Sequence, residues 1–134
     1  MKKEVEQIGE LVKSGVESRR IYEIALWFEM GMTAEQIEEY LGLGLSHTQM
    51  AKIRECFKKG LTKEQIEVVA NPRLGVSQMD EVIKCFKYHL TIEQARICAN
   101  PRFKWHQMSK VRNMFRDGNT IEEINEYIYS VRFN

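Results

Sequence analysis

The side chains able to do nucleophilic or metal chemistry are few: Cys56, Cys85 and Cys98, with His47, His89 and His106. A closed zinc site needs four ligands at short, regular spacings. No CxxC pair occurs, and only Cys85 and His89 stand one helical turn apart, which supplies two ligands of the four. Cys56 and Cys85 each precede a phenylalanine, Phe57 and Phe86, and read as small core residues rather than thiolate nucleophiles. Glu35, Glu64 and Glu93 recur at one spacing, where a helix's first turn favours negative charge. Gly42-Leu-Gly-Leu lacks the GK[ST] continuation of a phosphate loop. We therefore expect no enzymatic activity, no metal and no cofactor.

A binding chemistry is better represented. Arg96, Arg102, Lys104, Lys110, Arg112 and Arg116 surround Trp105 and His106, a mixture that grips phosphates and stacks on bases or on planar groups of a protein partner. The 134-residue chain has a formal net charge of only +1, so this excess is local. Residues 91–119 carry +4, against −3 for 4–32, zero for 33–61 and for 62–90, and −2 for 120–134. The alternative is a solvated face without a ligand. Tyr88 stands where the equivalent positions hold Met30, Lys59 and Asp117, and Trp105 where they hold Ser18, His47 and Val76. Contact residues vary where scaffold residues recur, so Tyr88, Arg102, Lys104, Trp105, Arg112 and Arg116 form the candidate partner-binding set. Tyr22 and Leu26 lie in an unusually apolar segment near one end, and Tyr129 and Phe133 near the other. Either helix 4–13 covers the first of these within the chain, or the apolar ends make a homodimer or a partner interface.

These residues are positioned by a repeat. Thr33, Thr62, Thr91 and Thr120 stand 29 residues apart, each opening a Thr-x-Glu-Gln/Glu-Ile/Ala phrase, and Glu4-Val-Glu-Gln-Ile precedes them in register. The units are 4–32, 33–61, 62–90 and 91–119, with a half unit at 120–134. Gln49-Met50, Gln78-Met79 and Gln107-Met108 recur with the same period, as do Phe28, Phe57, Phe86 and Phe115. Thr followed three residues later by Gln or Glu is a capping box, and it starts a short helix A. The apolar residue before each Thr is placed to staple onto the residue four beyond it. Gly31, Gly60 and Gly118 stand two before a Thr, where the preceding helix needs a left-handed residue, and His89 in the same position predicts strain or a different cap. Helix A should end near Tyr40, Val69 and Cys98, ahead of the Asn71-Pro72 and Asn100-Pro101 breakers. Helix B should begin near Thr48, Ser77 and His106, with Met50, Ile53, Phe57 and Leu61 as its apolar stripe. Two such helices cannot bury their apolar faces alone, so the expectation is an all-α short tandem αα-repeat array, a small α-solenoid of about four and a half repeats forming one domain over 1–134. A curved superhelix is expected rather than a right-angled bundle.

The segment Gly31-Met-Thr-Ala-Glu-Gln-Ile-Glu-Glu-Tyr-Leu-Gly-Leu-Gly-Leu-Ser-His-Thr resembles a helix-turn-helix unit in part, and that resemblance implies nucleic-acid binding through tandem units and the basic repeat 91–119. Glu38, Glu67 and Arg96 stand where such units keep a small residue, and the connections are longer than the usual turn. Over residues 4–134 the chain resembles tandem short-helix repeat proteins of undefined function from bacterial phages and mobile elements. That resemblance implies a non-enzymatic binding protein acting through protein–protein interaction, as a regulator or inhibitor of host machinery. An odd number of cysteines and the absence of an apolar region after Met-Lys-Lys fit a cytoplasmic protein, and Ile24 to Phe28 is too short an apolar stretch to span a bilayer. A protein partner is expected first, nucleic acid second, and no membrane.

Overall fold

A computed structural model describes residues 6, 8–10, 13 and 17–131. The described residues are helical or loop, with no strand among them. Among the described residues, 6, 8–10 and 13 are helical, and there follow α1 (Ser18–Glu29), α2 (Ala34–Leu41), α3 (His47–Lys58), α4 (Lys63–Val69), α5 (Val76–Lys87), α6 (Ile92–Cys98), α7 (Trp105–Arg116) and α8 (Ile121–Ser130). None is long and apolar enough to cross a membrane.

Thr33, Thr62, Thr91 and Thr120 each accept the backbone N–H three residues on, at 3.1–3.2 Å. Gln36, Gln65, Gln94 and Glu123 return the bond to the Thr N–H at 2.8–2.9 Å. Each reciprocal pair satisfies two of the donors that a helix start leaves over. The long helices end alike. In α3 the Gly60 N–H reaches Phe57 O and the Leu61 N–H reaches Cys56 O, both at 3.1 Å, and the same bonds close α1, α5 and α7. Gly31, Gly60 and Gly118 supply the positive φ that this turn demands, and His89 is forced into it at φ 64. The expected strain at His89 is therefore present, with the cap unchanged.

Helix α3 begins at His47, α5 at Val76 and α7 at Trp105, one residue earlier than the Met-led stripe suggested, and α2 runs one residue past Tyr40. The cause of the early starts is the glutamine of the Gln-Met phrase. Gln49, Gln78 and Gln107 turn back to accept the N–H of Ser46, Gly75 and Lys104 at 2.7–2.8 Å, which makes those residues the caps.

Helix α1 packs on α3, α3 on α5 and α5 on α7, while each shorter helix packs against the long helix before it, α4 and α6 also against the one after and against each other. Ile24, Ile53, Val82 and Val111, all buried, lie 29 residues apart along this row, as do Met50, Met79 and Met108. Trp27 is fully buried and meets Tyr40 edge-on at 5.6 Å, and Tyr40 meets Phe57 at 6.4 Å. Burial of the hydroxyl, reinforced by Glu67 and Glu39, pushes Tyr40 up to about 12.

Candidate functional site

The connection from α6 to α7 shapes the most accessible aromatic of the basic repeat. Asn100 Oδ1 accepts the Arg102 N–H at 3.0 Å, a local turn that also occurs at Asn71 and Arg73. Phe103 is buried, and the carbonyls of Pro101 and Phe103 accept from the Gln78 amide of α5 at 3.1 and 2.6 Å. The backbone of the loop is thus held from one side, and Arg102, Lys104, Trp105 and His106 are exposed on the other. Trp105 is 56 % exposed and stands edge-on to His106 at 5.7 Å. With Pro101 and Phe103 these four side chains line an open depression of about 380 Å3. An apolar ring beside two cations, at the positive end of the α7 dipole, suits a carboxylate next to a planar or apolar group.

The rest of the expected partner-binding set is placed elsewhere. Tyr88 ends α5 and Arg116 ends α7, so a helix of 12 residues, about 18 Å at 1.5 Å per residue, separates them from Trp105. The Arg116 guanidinium lies 3.8 Å from the Tyr88 ring centre, with Arg112 at 5.8 Å and Lys87 at 5.7 Å. Tyr88 is 37 % exposed and packs as part of the α5–α7 junction.

Arg112 corrects the expectation of a displayed contact residue. It is buried, pairs through Nη1 with Glu81 of α5, and donates through Nη2 to Ser109 at 3.1 Å. A guanidinium committed to a buried carboxylate holds helices together and is not offered to a partner. Arg54 does the same two junctions earlier, with Nε and Nη2 on Glu23 at 2.9 and 3.2 Å. Between these two pairs Lys52 meets Asp80 at 2.6 Å, and that hydrogen bond raises the Lys52 pKa.

Of the candidate self-association residues, Tyr22 is 66 % and Tyr129 is 94 % exposed, Leu26 is half-buried, and Phe133 lies outside the described residues, as does half of 4–13. Tyr22 sits on α1 and Tyr129 on α8. Cys56, Cys85 and Cys98 are free and buried. Burial pushes the Cys56 thiol up to about 12, and a hydrogen bond with Cys85, followed by burial, raises Cys98 further. No group of three or more His, Cys, Asp or Glu side chains able to hold a metal is found among the described residues.

Sequence reasoning singled out Trp105, which is exposed, but missed the inter-helix glutamines. Gln49 Nε2 reaches Pro72 O at 3.0 Å and Leu74 O at 2.8 Å, as Gln78 does one repeat later. The signal was the recurrence of Gln itself beside an apolar stripe that does not need it. The chain matches no protein-family model, no curated protein and no solved structure.

Proposed function

We propose that this is a non-enzymatic helical-repeat binding protein, its two-helix units stacked as a small α-solenoid, which acts through protein–protein contact at the Trp105 edge. The observation that carries this reading is the exposure of a tryptophan flanked by Arg102 and Lys104 on a loop whose Pro101 and Phe103 carbonyls are held by Gln78. Tryptophan and arginine are the residues that most often anchor protein interfaces. A fixed loop presents them with little ordering cost on binding. The partner surface this edge fits carries a carboxylate beside an apolar or aromatic group. The resemblance to repeat proteins of phages and mobile elements extends the proposal to a regulator or inhibitor of host machinery, with the repeats as scaffold and the variable edge as the part that chooses the target.

Nucleic-acid reading through the helix-turn-helix-like units is less well supported. Helices α3 and α5 have a long helix packed on each flank. Three helices side by side are roughly 30 Å across, against a major groove about 12 Å wide. Burial of Arg112 also removes one cation from the basic repeat's surface. The test is capture of partners from bacterial lysate by the wild-type chain, by Trp105→Ala and by Arg102→Glu with Lys104→Glu, with and without nuclease and at two salt concentrations. The proposal expects a stoichiometric, nuclease-resistant protein lost in both variants while their melting temperatures stay unchanged. Recovery of nucleic acid alone, falling steeply with salt, would give first place to the second reading.

A further inference from the structure

Away from the Trp105 edge, at the C-terminal ends of α3 and α5, a groove of about 520 Å3 opens between the two helices. Its floor is Leu61, half-buried, over Ile83 and Phe86, and Lys59, Lys87 and His89 line it with the neutral Gln65. The sequence explains why the groove lies at this junction. Positions 54, 83 and 112 are equivalent in the repeat; Arg54 and Arg112 each extend to a glutamate of the preceding long helix, whereas Ile83 is short and apolar. Lys59 and Tyr88 are also equivalent, and at the next junction the Tyr88 ring fills the corresponding space beneath Arg116 at 3.8 Å. At this junction no ring takes that place, and a side chain added at Gly60 would meet only open space.

His89 supplies a second observation. It occupies a left-handed turn, φ 64, that Gly31, Gly60 and Gly118 fill at the other three ends. Non-glycine residues are strained there, and such strain clusters at sites of function. Here it brings an imidazole to the rim, beside the exposed Lys87. No carboxylate lines the groove among the described residues, and Glu55, outside it, pairs with Lys59 at 3.0 Å and Lys52 at 3.3 Å.

We propose that this groove binds an extended acidic peptide segment, a bulky apolar side chain resting on Leu61, Ile83 and Phe86 while a neighbouring carboxylate is held by Lys87 and His89 with Lys59 behind them. The volume lies within the range of about 300–1,000 Å3 typical of ligand pockets and admits one large side chain with its neighbour. The groove is open to solvent, which lets a polypeptide enter and leave, whereas a free small molecule is better served by enclosure. Cationic rim and apolar floor together distinguish this ligand from a nucleic acid, whose phosphates would leave the floor unused. The site is separate from the Trp105 edge and does not depend on it.

The test is fluorescence anisotropy with dye-labelled pentapeptides Asp-Glu-X-Glu-Asp, X being Phe, Trp, Leu or Ala, and with Lys-Lys-Phe-Lys-Lys, alongside amide chemical shifts of the protein. The proposal expects saturable binding of at least one bulky-centre acidic peptide, with shifts centred on Gly60, Leu61, Lys87 and His89. Affinity should fall about tenfold for the Ala-centred peptide and about tenfold for Lys87→Glu, and by a smaller factor for His89→Gly. Lys87 is exposed and His89→Gly restores the residue of the other turns, so both variants keep the fold. Trp105→Ala should bind these peptides unchanged, which separates failure here from failure at the other edge. The proposal is overturned if no acidic peptide saturates, if the basic or Ala-centred peptide binds equally well, or if the shifts gather at Trp105.

Discussion

A thiol shut inside a helical junction loses its chemistry twice, because water cannot reach it and because the thiolate is penalised by burial. Cys56 shows this directly, its thiol raised from 9.0 to about 12, and Tyr40 is raised from 10.0 to about 12 for the same first reason. The folded state then holds its protons while the unfolded chain releases them, so stability should be level below pH 9 and fall as pH rises from 9 towards 12. Urea midpoints at pH 7, 9 and 10.5 check the sign, and a thiol reagent at pH 8 should modify the three cysteines only after denaturant is added. At this scale the sequence was legible wherever a residue's neighbours were local: the buried cysteines, the threonine caps and the strain at His89 all follow from short spacings. Arg112 was not legible, since its partner Glu81 lies 31 positions away in another unit and composition alone treats every arginine as surface.

Between elements, the junctions are specified by polar groups laid over a shared apolar stripe. Gln78 spends its oxygen on the Gly75 N–H and its amide hydrogens on the Pro101 and Phe103 carbonyls, so one side chain both starts α5 and fixes the next loop. Gln78→Glu would turn the donor into an acceptor facing two carbonyls and should cost about 2–3 kcal/mol in chemical denaturation. The ion pairs behave differently. Glu81→Ala leaves the Arg112 guanidinium buried and alone, and should cost about 3–5 kcal/mol, whereas Glu81→Leu with Arg112→Leu should be close to neutral. A double-mutant cycle on those substitutions separates the pair's interaction from the cost of orphaning one partner. The limits of α2 to α7 were readable to within one residue because capping residues announce them, whereas α1, whose Glu17 cap makes no side-chain bond, starts at Ser18, three residues before the apolar run from Ile21. The starts of α3, α5 and α7 were misplaced by one because the glutamine serves a cap whose own residue changes from Ser46 to Gly75 to Lys104.

Across the whole molecule, all-helical character was legible from the 29-residue period, and so was the need for each pair of helices to find cover outside itself. Which surfaces stay uncovered was not, because that depends on single exceptions to the pattern: Ile83 between two arginines, Trp105 among small or polar residues. The ion pairs impose one further order. Positions 23, 52, 81 and 110 read Glu, Lys, Glu, Lys, and the residues that answer them alternate in sign as well. Although threonine and glutamine count every 29 residues, charge counts every 58. Removing residues 33–61 would set Glu23 against Ile83 and Asp80, while removing 33–90 would set it against Arg112. The longer excision should melt cooperatively and the shorter one should not, as calorimetry of the two would show. Parity, then, is the rule by which this chain could lengthen or shorten: units are exchanged in twos, and an odd copy is the one that does not fit.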